Sequence, residues 1–121
     1  MLSRRWRSIF FRLGFLAALA VTTVLCLRPS DWNPPPGVSD KVKHALAYGT
    51  ITALALLGFR KRGAWLPLVL VITIWGVAVE FIQPHFGRSF ELLDMAANTL
   101  GVAFSAVLLY RFSPENRGAD V

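Results

Sequence analysis

Residues 64–82 read AWLPLVLVITIWGVAVEFI, nineteen residues in which one ionisable group, Glu80, interrupts the apolar side chains. A membrane-crossing helix needs about 20 mainly apolar residues, within a range of roughly 17–25. This stretch therefore has the length and character of a span. Three other apolar runs accompany it, so spans are expected at about 9–27, 44–59, 64–82 and 92–112. The second is short and crosses only if Lys43 and His44 lie at the interface with their stems buried. One such run could be the core helix of a soluble protein, but four within 121 residues argue against it. The fold class expected is all-α: a single polytopic domain over residues 1–121, built as a four-helix transmembrane bundle, with 113–121 as a disordered tail.

Composition points the same way. The chain is 55% hydrophobic and 17% charged, with a mean hydropathy of +0.51. Ordinary soluble domains are about 45–50% apolar and about 25% charged. The first run follows Arg4, Arg5 and Arg7, as in a signal peptide. No small-residue cleavage site precedes Arg28–Pro29, so it is expected to stay as an uncleaved helix. Cys26 is the single cysteine, which excludes an intrachain disulfide.

The net charge of +6 is explained by placement. Arg4, Arg5, Arg7, Arg12, Arg60, Lys61, Arg62, Arg111 and Arg117 fall on the side of the two termini, whereas Arg28, Lys41, Lys43 and Arg88 fall on the other. Nine against four follows the positive-inside bias if both termini are cytoplasmic, in a bacterial inner membrane. Trp6, Trp65 and Tyr110 would mark the inner interface and Trp32 the outer one. Membrane lipids, including anionic ones, are the expected partners of the basic groups. No module that reads grooves or stacks bases is visible, so nucleic acid is not expected. The sequence leaves the oligomeric state open.

The connections differ in kind. Residues 60–63 read RKRG, a tight basic turn pairing the second and third helices. Pro34–Pro36 should form a stiff polyproline II segment. In the loop 83–91, QPHFGRSFE, Pro84 should end the third helix.

Polar residues recur at helical spacing near one level of the chain. Asp40, His44, Tyr48 and Thr52 form a stripe of every fourth residue, next to a small ridge of Ala45, Gly49 and Ala53. On the third helix Thr73, Gly76, Glu80 and Gln83 share a face. On the fourth, Asp94, Asn98 and Gly101 do so beside the ridge Ala97–Gly101–Ser105. Ionisable groups in or near hydrocarbon are expensive, so their gathering at one side suggests a site. The candidate ligand-binding residues are Asp40, Lys41, His44, Tyr48, Glu80, Gln83, Arg88, Asp94 and Asn98, with Gly49 and Gly101 as packing residues. Lys41 and Arg88 suit an anionic phosphate or carboxylate, and Arg88 is expected to neutralise Glu80 and Asp94. Plainer roles compete: Asp94 as a carboxylate satisfying a helix N-terminus, Asn98 as interhelical glue. No glycine-rich phosphate loop, HExxH or paired CxxC occurs. His44, Glu80, His85 and Asp94 follow no recognised metal-ligand spacing. No metal, cofactor or catalytic set is therefore assigned; in an enzyme, His44, Glu80 and Asp94 would act.

The ordered set Asp40–Lys41 with His44 and Tyr48, then Glu80 and Gln83, then Arg88 with Asp94, Asn98 and Gly101, resembles the VanZ-like family of bacterial membrane proteins. It covers residues 40–101, about half of the chain. The resemblance implies a small multi-helix membrane protein, with no established enzymatic mechanism and a family link to glycopeptide (teicoplanin) susceptibility. On this reading an outward-facing polar pocket binds an envelope lipid, a lipid-linked cell-wall precursor or another anionic headgroup. The alternatives are a membrane-embedded hydrolase or transferase acting on lipid-linked phosphate, and a small proton-coupled transporter.

Overall fold

The computed structural model describes residues 1–28 and 40–113. These form four α-helices: α1 (Arg4–Cys26), α2 (Asp40–Gly58), α3 (Trp65–Ile82) and α4 (Leu92–Phe112). Short 3-10 turns at Arg62–Ala64 and Gln83–Phe86 precede and follow α3, and no strand occurs among the described residues. The polyproline segment, Trp32 and most of the expected disordered tail lie outside the described residues.

Two helices start earlier than their apolar runs. Helix α1 begins at Arg4 instead of residue 9, because the Ser3 hydroxyl caps it by accepting from the Trp6 amide at 3.4 Å. Helix α2 begins at Asp40 instead of residue 44, with an acidic residue in its first turn favouring the helix dipole. Pro67 sits inside the first turn of α3, where a missing N–H costs nothing. After α3 the chain turns at Gly87, whose φ of 75° is left-handed and suited to glycine.

Among the described residues, three segments are long and apolar enough to cross a membrane: α1, the stretch from Arg62 to Phe86, and α4. Helix α2 is not among them, since its polar stripe lowers its apolar content. It is instead the central helix, packed most extensively on α4 and next on α1, while α3 packs mainly on α4. The core joins Phe15 of α1 to Tyr48, Ile51 and Ala55 of α2, Ile72 of α3 and Val102 of α4. Large apolar side chains such as Phe10, Leu16, Leu70, Ile74, Leu100 and Phe104 point outward, more than half exposed. A soluble domain would cover such a belt; lipid accommodates it.

The two small-residue ridges meet in the α2–α4 seam. A methyl group on Gly101 would stand 2.2 Å from the Ala45 carbonyl oxygen. One on Gly49 would stand 3.3 Å from the Gly101 carbonyl oxygen. The Ser105 hydroxyl closes the seam by donating to the Gly49 carbonyl at 2.7 Å. Gly58, which the ridge pattern did not single out, is equally constrained: its carbonyl accepts from the Ser8 hydroxyl at 2.6 Å and from Arg12 Nε at 2.8 Å. A methyl group there would meet the Arg12 backbone nitrogen at 2.9 Å.

Candidate functional site

The antiparallel order of the helices brings the end of α1, the start of α2, the end of α3 and the start of α4 to one end of the bundle. Lys41 on the first turn of α2 reaches across to α4. Its ammonium lies 2.7 Å from Asp94 Oδ1 and also pairs with the Glu91 carboxylate. One turn further along α2, His44 turns both ring nitrogens toward α4. Nδ1 lies 2.9 Å from Asn98 Oδ1, and Nε2 lies 3.5 Å from Asp94 Oδ2. Asp94 and Asn98, one turn apart on α4, therefore grip one imidazole between them.

Helix α3 adds Glu80, and the turn that follows it adds Gln83, both buried, at 0% and 1% exposure. Glu80 Oε2 accepts from the Glu91 amide at 3.4 Å, joining α3 to the start of α4, while Oε1 has no hydrogen-bond partner. Gln83 donates through Nε2 to the Cys26 carbonyl at 2.9 Å, which ties α1 to α3, and its Oε1 is unpartnered. Tyr48, one turn below His44, is 1% exposed, and its hydroxyl is also unpartnered. Its ring rests where a side chain on Gly76 would have to go, at 3.0 Å. Buried polar groups ordinarily find partners, so three unpaired oxygens in one region mark it out.

The proposed site residues thus separate. Lys41, His44, Tyr48, Glu80, Gln83, Asp94 and Asn98 gather at this end, on three helices. Asp40 is exposed at the start of α2. Arg88, expected to neutralise Glu80 and Asp94, instead donates through Nη1 to the Arg28 carbonyl oxygen at 3.5 Å. The cation on the carboxylates is Lys41, whose side chain reaches Asp94 directly from the neighbouring helix. Thr52 is buried but spends its hydroxyl on the Tyr48 carbonyl of its own helix, at 2.7 Å. Glu91 and the Cys26 carbonyl were not anticipated: a backbone oxygen leaves no mark in a side-chain pattern, and Glu91 reads as a loop residue. The hydrogen bond from Lys41 holds the Glu91 carboxyl below its ordinary value.

His44, Glu80 and Asp94 each offer a ligand atom, and these atoms lie within 4.8 Å of one another. His85, the fourth residue considered for such a set, is exposed on the turn after α3. The arrangement can hold a cation, or pass a proton between carboxylate and imidazole.

The opposite end is different in character. Arg62 lies over the Tyr110 ring at 4.3 Å and the Trp65 ring at 5.1 Å, and Arg12 lies over Phe59 at 4.4 Å. A cleft of about 530 Å³ opens there, lined by Arg4, Arg60, Trp65, Leu109 and Phe112 among others.

No family model matches the chain. An uncharacterized protein of Schizosaccharomyces pombe is 28% identical over 98 residues, 78% of this chain and 59% of that protein. The chain thus spans 59% of the length of the relative it matches. No solved structure matches.

Proposed function

We propose that the protein is a four-span membrane protein whose polar end binds the phosphate-bearing head of a membrane lipid or lipid-linked envelope component, without transforming it. The observation that carries this reading is the interhelical network of Lys41, His44, Glu80, Gln83, Asp94 and Asn98 at one end of an otherwise apolar bundle. Polar groups left unpaired in a dry setting are costly: the Tyr48 hydroxyl can donate to a phosphate oxygen, whereas Glu80 Oε1 and Gln83 Oε1 accept and call for a donor or a cation carried with the head group. An ammonium has three donors; Lys41 directs two at carboxylates and keeps one for a ligand. Helix α2 crosses with the others because its polar stripe is turned onto α3 and α4 instead of lipid.

The resemblance to VanZ-like proteins favours the same reading and an outward-facing site, with the basic end cytoplasmic. A fungal relative favours a ligand chemistry shared by many membranes, such as lipid phosphate, over one confined to the bacterial wall. The glycopeptide link rests on the family resemblance alone.

Native mass spectrometry of gently extracted protein tests the reading. A phosphate-bearing lipid should co-purify with the wild type and with Arg60→Ala, and be lost from Lys41→Ala. A lipid retained by Lys41→Ala but lost from Arg60→Ala would assign it to the cleft at the basic end and overturn the proposal.

A further inference from the structure

We infer that His44, Glu80 and Asp94 bind one divalent metal ion, of the class that accepts mixed imidazole and carboxylate ligands. Three observations lead there. The first is the orientation of His44. Its Nδ1–H is spent on Asn98 Oδ1 at 2.9 Å, so in the neutral ring Nε2 carries a lone pair. That lone pair faces Asp94 Oδ2 at 3.5 Å. Two acceptors face each other at a distance beyond an ordinary hydrogen bond, and a cation between them would satisfy both. A ligating histidine whose other ring N–H is held by a carbonyl oxygen is the usual second-shell arrangement of metal sites, and Asn98 supplies that oxygen.

The second observation is Glu80. It is 0% exposed, its Oε1 has no partner, and its ligand atom lies within 4.8 Å of those of His44 and Asp94. Zinc bonds to imidazole nitrogen and carboxylate oxygen are about 2.0–2.2 Å long, which sets neighbouring tetrahedral ligands about 3.4 Å apart. The His44–Asp94 pair already stands at 3.5 Å. Glu80 needs a side-chain adjustment of roughly an ångström to join them.

The third is the make-up of the set. Two carboxylates and an imidazole face one another, and Lys41 is shared between Asp94 and Glu91. One histidine with two carboxylates suits zinc or manganese better than a soft, thiolate-seeking ion. Three protein ligands leave a coordination position open, and a phosphate oxygen is suited to fill it. The inference rests on the polar end being a site, but not on which head group it takes.

The test uses the full chain, stripped with a chelator, in nanodiscs of phosphatidylcholine alone. Zn²⁺ titrated by calorimetry should bind at one equivalent. Glu80→Gln and His44→Ala should abolish that binding, Asn98→Ala should weaken it about 10–100-fold, and Asp40→Asn should leave it unchanged. Co²⁺ in the wild type should give a visible spectrum of nitrogen and oxygen ligands, a result that stands even if a variant fails to fold. Absence of saturable binding in the wild type would overturn the inference. So would binding that survives both Glu80→Gln and His44→Ala, or a thiolate-to-cobalt band pointing to Cys26. Metal binding with no co-purified lipid would leave this inference standing while the lipid reading fell.

Discussion

The two ends of the bundle carry comparable numbers of ionisable groups and handle them in opposite ways. At the polar end Arg28, Lys41, Lys43 and Arg88 stand against Asp40, Glu80, Glu91 and Asp94, and the central members interlock across three helices. At the basic end the described chain holds Arg4, Arg5, Arg7, Arg12, Arg60, Lys61, Arg62 and Arg111 with no acidic residue. Two of these meet a backbone carbonyl or an aromatic face: Gly58 and Phe59 for Arg12, Trp65 and Tyr110 for Arg62. One end is compensated from within. The other holds its cations with no acidic residue of the described chain beside them. Charge compensated within is coupled to the fold; charge left for the surroundings is not.

The largest effect should come from the seam that holds both ends together. Gly101→Leu would drive a side chain into the Ala45 backbone, where even a methyl group stands 2.2 Å from the carbonyl oxygen. Overpacking of this kind costs about 1–3 kcal/mol and occasionally more, and here the obstacle is backbone that cannot move aside. Thermal unfolding in detergent should shift strongly downward for Gly101→Leu and little for the partly exposed Leu108→Ile. Equal stability would mean that the seam does not govern either end.

The second effect separates the ends directly. Lys41→Ala leaves Asp94, 10% exposed at its side chain, facing Glu91 without its cation. A loss of about 1–2 kcal/mol is expected, between the values for surface and buried pairs. Arg60→Ala at the other end should fall within about 0.5 kcal/mol, yet weaken attachment to anionic vesicles by about 1 kcal/mol. Adding Asp94→Asn to Lys41→Ala should recover part of the loss, since coupled groups are not additive. A melt in which both arginine and lysine variants behave alike would erase the distinction between the ends.

How much of this was legible in the sequence follows from the range of each interaction. Helix identity was legible because apolar runs of span length declare themselves locally. The start of α1 was not, because Arg4–Arg7 is mostly polar yet helical and a rule based on apolarity stops short of it; for α2 the apolar run began at 44, while the polar stripe already carried the helix back to Asp40. The stripe of every fourth residue led to His44 and Tyr48 at the polar end, and to Thr52, buried but bonded to its own helix. It overreached at Asp40, since steps of four advance about 40° around a helix of 3.6 residues per turn. The facing direction has drifted by about 120° between Asp40 and Thr52. Arg88 was paired with Glu80 and Asp94 because it lies between them in the chain. The structure puts Lys41 on Asp94 and on Glu91, fifty residues further along the chain, a pairing that only the packing of α2 on α4 creates.

The smallest effect should be a pH response confined to the polar end. Glu91 has its pKa lowered from 4.5 by the hydrogen bond from Lys41. A group whose folded pKa is depressed contributes stability above its unfolded pKa and loses it as pH falls through the folded value. The contribution is small, because Glu91 is 47% exposed at its side chain. Melting temperature should therefore decline slightly below about pH 4.5, and Glu91→Gln should remove that part of the decline. A decline of equal size in Glu91→Gln would place the sensitive group elsewhere.

The position of α2 at the centre has a consequence for the order in which the chain is assembled. Its polar stripe gives it little reason to leave water or a translocation channel alone, and its best partner, α4, follows the other described helices in the chain. Until Glu91 and Asp94 emerge, Lys41 has no counter-ion; until Gly101 emerges, the Ala45–Gly49 ridge has nothing to close against. The first half of the chain therefore waits on the second. A nascent chain halted before α4 presents α2 without the helix it packs on most extensively.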